Sequence, residues 1–245
     1  MDIQTIILSF AAFLISSFLK GLTGLGFSTI CLAILASFLD LKLAISLVFL
    51  PSLSSNLFVM FQAGRFLESA KRFWLLYLSA LPGLIIGISF LTSSQNQIPK
   101  AILGTVILIY GIWGLVIGKA RLSKKTEKLL IVPVGLLSGL VNGATGSQIM
   151  PIMPYLLSLK IEKDSFVQTI NCAFTFNTLI MMVWLGKIGV LTLPVAYLSA
   201  VGIVPVALGI LLGGFIRNRV SEDVYRKIVF ILLIVMGMNL VRYFR

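Results

Sequence analysis

A chain of 245 residues that is 58% hydrophobic and only 11% charged cannot cover itself with the polar surface that a water-soluble domain of its length requires. Its mean hydropathy is +1.06 and apolar blocks recur along its whole length, which excludes a globular domain on a single anchor and predicts an all-α integral membrane protein. The net charge of +12 would suggest nucleic acid in a soluble protein; here the basic residues flank apolar blocks, where positive-inside topology and lipid headgroups account for them.

The first apolar block covers about 3–39. Asp2 stands where a basic n-region would, and no small-residue cleavage site follows, so the block is expected to be retained as structure. It exceeds the roughly 17–25 residues of an ordinary span. It is interrupted by Lys20-Gly21-Leu22-Thr23-Gly24-Leu25-Gly26-Phe27-Ser28-Thr29. Blocks of spanning length follow at about 44–63, 73–92 and 99–118. The stretch 119–128 is a basic linker. It leads to a second long block at about 129–158, interrupted by Ser138-Gly139-Leu140-Val141-Asn142-Gly143-Ala144-Thr145-Gly146-Ser147-Gln148, and then to blocks at about 166–186, 192–215 and 226–241. Eight blocks thus form two membrane repeats, 1–118 and 129–245, each opening on a broken block.

Shared residues support the duplication. Tyr77-Leu78-Ser79-Ala80 recurs as Tyr197-Leu198-Ser199-Ala200. Gly21 aligns with Gly139, Asn56 with Asn177, Gly64-Arg65 with Gly186-Lys187, Pro82 with Pro205 and Gly111 with Gly237, in order and at nearly constant spacing. Loop charges orient the copies. If every block crosses once, Lys and Arg divide almost evenly between the two faces. If the broken blocks turn back at their breaks, Arg65, Lys71, Arg72, the Lys119–Lys128 cluster, Lys160, Lys163, Arg217, Arg219, Arg226 and Lys227 share one face. Only Lys42, Lys100, Lys187, Arg242 and Arg245 then lie on the other. The positive-inside rule selects this arrangement. It makes the copies inverted repeats, with both termini outside and the 119–128 linker in the cytoplasm.

The chain has no histidine, and all eight carboxylates lie at or beyond block ends. A proton relay, an acidic cation site, a Ser/His/Asp set and a Cys/His metal cluster are therefore not expected, nor is an enzyme activity or a cofactor. Cys31 and Cys172 are expected as buried small residues. What remains inside the blocks suits an anion. At a break the backbone N–H groups that open a half-helix are unpaired and carry the positive end of its dipole, and glycine lets a ligand approach them. The candidate site residues are Lys20, Gly21, Thr23, Gly24, Gly26, Ser28 and Thr29 at the first break. At the second they are Gly139, Asn142, Gly143, Thr145, Gly146, Ser147 and Gln148. Asn56 and Asn177, at matching positions, either complete the site or only bond between helices. Gln168, Thr169, Asn171 and Thr175 are the next candidates for a polar lining. The competing reading of the glycines is tight helix crossing, which is the expectation for Gly83/Gly87, Gly114/Gly118 and Gly209/Gly213. Trp74, Trp113 and Trp184 are expected as interfacial anchors.

The stretches Gly21-Leu-Thr-Gly-Leu-Gly-Phe-Ser, Gly135-Leu-Leu-Ser-Gly-Leu-Val-Asn-Gly-Ala-Thr-Gly-Ser and Pro82-Gly-Leu-Ile-Ile-Gly87, with the two halves and the basic stretch between them, resemble the sulfite exporter TauE/SafE family over nearly the whole chain. The resemblance implies a multi-pass transporter of a bacterial or archaeal inner membrane. It implies substrates such as sulfite, thiosulfate and sulfonates, and Gly21, Gly24, Gly26, Gly139, Gly143 and Gly146 as the family's glycine-rich stretches. The first break departs from the family pattern: Gly26-Phe27-Ser28 replaces a glycine run followed by proline.

The expectation is a secondary transporter of a small anion, working by alternating access between the two breaks. The alternative is an assembly or chaperone-like factor that binds a partner membrane protein. The expected partners are the small anion and the lipid bilayer, with a homo-oligomer left open and nucleic acid excluded.

Overall fold

The structure is a computed structural model that describes residues 2–23, 26–116, 121–217 and 222–242, without the side chains of Thr23, Arg217 and 222–226. Gly24, Leu25, Gly118, Lys119, Arg219 and Arg245, singled out from sequence, lie outside the described residues. The described residues form α-helices and short connections, without strands. The first half runs α1 (Ile3–Thr23), α2 (Phe27–Ala36), α3 (Leu41–Ala63), α4 (Phe66–Ser93) and α5 (Gln97–Val116). The second runs α6 (Lys124–Thr145), α7 (Ile152–Leu157), α8 (Lys163–Lys187), α9 (Leu193–Val201), α10 (Ile203–Arg217) and α11 (Glu222–Val241). The order is the same in both, with α9 and α10 continuing as one span. Among the described residues seven helical spans, α9 with α10 counted as one, are long and apolar enough to cross a membrane.

The broken first block resolves into the full-length α1 and the short α2, and the broken fifth block into α6 and the still shorter α7. Local chemistry sets the other boundaries. Asp40 accepts from Lys42 N at 2.8 Å and Leu43 N at 3.4 Å, so α3 starts earlier than its apolar block. Gly64, at φ 68°, ends it in the left-handed region. α4 begins at Phe66 with an amphipathic segment that carries Glu68, Lys71 and Arg72, and is kinked at Phe73 (φ −112°, ψ 17°), where its apolar block starts.

The halves interlock. α1 packs along α10, α4 along α6, α5 along α11 and α3 along α8, and each of these extensive pairings joins one half to the other. Glycines make the first two close. A Cβ on Gly83, Gly87, Gly139 or Gly143 would collide with backbone across α4 and α6, and one on Gly21 or Gly213 with backbone across α1 and α10. The expected packing faces at Gly83/Gly87 and Gly209/Gly213 are these two seams, and Gly114 meets the Phe230 ring.

The register of the seams gives helix directions. Gly139 meets Ala80 and Gly143 meets Leu84, so α4 and α6 run parallel. Gly209 meets Leu14 and Gly213 meets Phe18, so α1 and α10 also run parallel. One face of the molecule is tied by Arg65–Glu162 (2.7 Å), Arg72–Glu127 (2.9 Å) and Leu122 N to Ser158 O (2.9 Å). The opposite face is tied by Leu41 N to Asn96 Oδ1 (2.9 Å) and Lys42 Nζ to Thr92 O (3.3 Å). α6 leaves the first face, whereas α1, parallel to α10, approaches it. The copies are therefore inverted, and the loops at 64–72, 121–127 and 158–163 share a face, as they do when the broken blocks turn back.

The repeated tetrapeptide has diverged. Pro51 lacks an N–H, so the Leu47 carbonyl loses its helical donor within α3. Ser199 donates its hydroxyl to that carbonyl at 2.8 Å and accepts from Leu50 N at 3.2 Å. Ser79, its counterpart, bonds Leu76 O of its own helix at 3.2 Å. Tyr77 is half-buried and bonds Ser69 at 2.9 Å, whereas Tyr197 is exposed.

Candidate functional site

The two breaks meet on α3. At the first, Gly26 takes φ 90° and turns the chain into α2, whose opening N–H groups have no helical partner. At the second, Gly146 takes φ 75° and closes α6 with its N–H on Asn142 O at 2.7 Å. Thr145 caps the bend locally, donating to Val141 O at 2.6 Å and accepting from Ser147 N at 3.2 Å. Gln148 then reaches α8, where its Nε2 donates to Thr178 Oγ1 at 2.7 Å and to Phe174 O at 3.4 Å.

Between these elements lies a small, partly open cavity. Its polar wall is Ser28 of α2, Ser52 of α3, Asn142 and Gly146 at the end of α6, Gln148, and Thr178 of α8. Leu32, Ile45, Val48, Phe49 and Met181 form the apolar wall. Ser52 Oγ, both amide atoms of Asn142 and Gln148 Oε1 are buried without a hydrogen-bond partner in the protein. Such atoms are rare in folded proteins, and a group of them on one cavity wall is a set of contacts held for something else.

Lys20 stands one turn along α3 from this wall. It is buried, and its ammonium group donates to Ser55 Oγ and, at 3.3 Å, to Asn56 Oδ1. Asn56 Nδ2 is left without a partner. Ser52 and Asn56 are one helical turn apart and share a face of α3. Among the described residues no carboxylate forms an ion pair with Lys20. A buried lysine amine with only neutral oxygens around it holds its charge at lower cost when an anion sits beside it.

The structure sorts the sequence candidates. Lys20 and Asn56 meet, and Ser28, Asn142, Gly146 and Gln148 line the cavity. Gly26 and Gly146 shape the two turns. Gly21, Gly139 and Gly143 face neighbouring backbone in the seams, which is the packing reading weighed against their site role. Thr29, Ser147 and Asn177 are buried near the breaks without lining the cavity. Of Thr23 only the backbone is described, as the last residue of α1. α7, at six residues, is too short for the half-helix expected at the second break. Gln168, Thr169, Asn171 and Thr175 belong elsewhere. Thr169 bonds Ser69 at 2.9 Å, Gln168 reaches Cys172 at 3.3 Å, Asn171 reaches Val167 O at 2.8 Å and Thr175 reaches Met60 at 3.4 Å.

Sequence reasoning missed Ser52, Ser55 and Thr178. The signal for Ser52 was its place four residues before Asn56.

An all-helical, multi-span membrane protein with a polar, cation-bearing interruption between inverted copies is the build of the secondary-transporter class. The chain belongs to the sulfite exporter TauE/SafE family, whose model matches residues 8–240. No curated protein and no solved structure matches it.

Proposed function

We propose that this protein is a secondary transporter of a small sulfur-containing anion, an oxyanion or a sulfonate, in the inner membrane of a bacterium or archaeon. The observation that carries the reading is the buried Lys20, with no acidic partner among the described residues, beside a wall of unpartnered polar atoms. The anion binds between the opening of α2, Lys20 and the α3 face of Ser52, Ser55 and Asn56, held by a positive field and neutral donors. Alternating access then opens this midplane site to one face at a time. Because the extensive helix pairings all cross between halves, the rigid units are the glycine seams, α1 with α10 and α4 with α6. The sequence repeats themselves do not separate.

The test is flux of radiolabelled sulfite, thiosulfate and methanesulfonate into proteoliposomes, against protein-free vesicles. Saturable flux of at least one of them is expected. No flux of any, together with stable co-purification of one membrane partner, supports the assembly-factor reading instead.

A further inference from the structure

The cavity wall offers more than donors. Gln148 presents an oxygen to it, and the orientation is fixed: the Phe174 carbonyl only accepts, so the end of the amide that reaches it at 3.4 Å is the NH₂ group. Gln148 Oε1 is left buried and without a protein partner on a side chain that is 6% exposed. Thr178, one of whose lone pairs is taken by Gln148, keeps its hydroxyl proton free to donate. With the hydroxyls of Ser28 and Ser52, the wall therefore combines several donors with a fixed acceptor, and Asn142 adds one of each.

We infer that the cavity selects a singly charged oxyanion that still carries a hydroxyl proton, by placing the Gln148 carbonyl oxygen opposite the hydroxyls of Ser28, Ser52 and Thr178. An oxyanion without a proton satisfies the hydroxyls but turns its own lone pairs on Gln148 Oε1, leaving a buried acceptor unpaired. One with a single O–H satisfies both sides. The charge agrees: among the described residues no Lys or Arg lines the cavity, which disfavours a doubly charged guest, and Lys20 bonds Asn56, one turn along α3 from Ser52. This rests on the transport reading above and adds the protonation state of the cargo. It also gives a route for acid. The substrate carries its own proton across, so the chain moves an acid equivalent without a histidine or a carboxylate in a span.

The test uses the full chain in proteoliposomes with sulfite as the probe, because its singly and doubly charged forms interchange near neutrality. Initial rates are measured at fixed total sulfite from acid to alkaline pH, with flux through protein-free vesicles subtracted and a pH dye inside. Sulfate (doubly charged) and methanesulfonate (singly charged, no O–H) serve as competitors. The rate is expected to follow the hydrogen sulfite concentration and to acidify the lumen. Sulfate and methanesulfonate should compete at least about tenfold more weakly than hydrogen sulfite. Gln148→Leu removes the acceptor and should bring methanesulfonate to within a few-fold of sulfite. Flux that follows the doubly charged form, or equal competition by methanesulfonate in the unmodified protein, overturns the inference and leaves transport standing. Absence of flux for every probe overturns the transport reading itself.

Discussion

Lys20 has a hydroxyl and an amide oxygen for partners where most buried cations have a carboxylate. If its charge serves an anion, Lys20→Met lowers anion flux at least about tenfold. The same change leaves the thermal midpoint of the purified protein unchanged or higher, because a desolvated charge is removed. A large fall in the midpoint would mark Lys20 as structural. Ser199 supplies a second residue-scale prediction. Ser199→Ala strips the Leu47 carbonyl of its donor and should destabilise by about 1–3 kcal/mol. Pro51→Ala returns a helical N–H to that carbonyl. In that background Ser199→Ala should cost little, and a double-mutant cycle on thermal unfolding reads the coupling. Lys20 and Asn56 were legible in the sequence because a charge or an amide inside a span demands a partner. Ser52 and Thr178 were not. Hydroxyls in helices commonly bond the carbonyl a turn back, as Ser9 and Ser46 do with Thr5 O and Lys42 O. Only the packed structure shows which serine lacks such a bond.

Among the elements, glycine has two roles that the sequence does not separate. Gly26 and Gly146 turn the chain through φ 90° and φ 75°. Gly21, Gly139 and Gly143 are only a few residues away in the same glycine-rich stretches, yet they serve helix contact. Four-residue spacing revealed the seam faces of α4 and α10. The partner faces on α1 and α6 were masked because their glycines merge into the breaks. Gly139→Leu should therefore abolish folding rather than binding, seen as loss of the monodisperse peak in size-exclusion chromatography. Gly186 has open space around the position of a Cβ and lies in the last turn of α8. Gly186→Ala should be neutral or stabilise by about 1 kcal/mol, read as an unchanged or raised thermal midpoint.

For the whole molecule, charge and topology agree. The loops at 64–72, 121–127 and 158–163, tied together by Arg65–Glu162 and Arg72–Glu127, carry much of the basic charge and are expected on the cytoplasmic side. Cys31 and Cys172 are both buried, so a single new thiol can report sidedness. A Lys125→Cys variant should resist an impermeant maleimide in intact cells and react in inside-out vesicles. Labelling from outside would reverse the orientation. The inverted duplication was legible because a loop and its counterpart differ in charge while their helices keep matching pegs. How the copies fit together was not, since apolar periodicity marks that a face is buried and not which helix buries it.

The crossing of partners between halves has a historical consequence. α1 finds its seam on α10 and α6 finds its own on α4, so neither copy contains the mate of its own first helix. A one-copy ancestor with this fold could bury those helices only by pairing with a second chain inserted upside down. Fusion of two copies of such a gene would fix as one polypeptide an antiparallel dimer of dual topology. The descendant should retain the trace: the two halves made as separate chains should each be degraded alone and reassemble when made together.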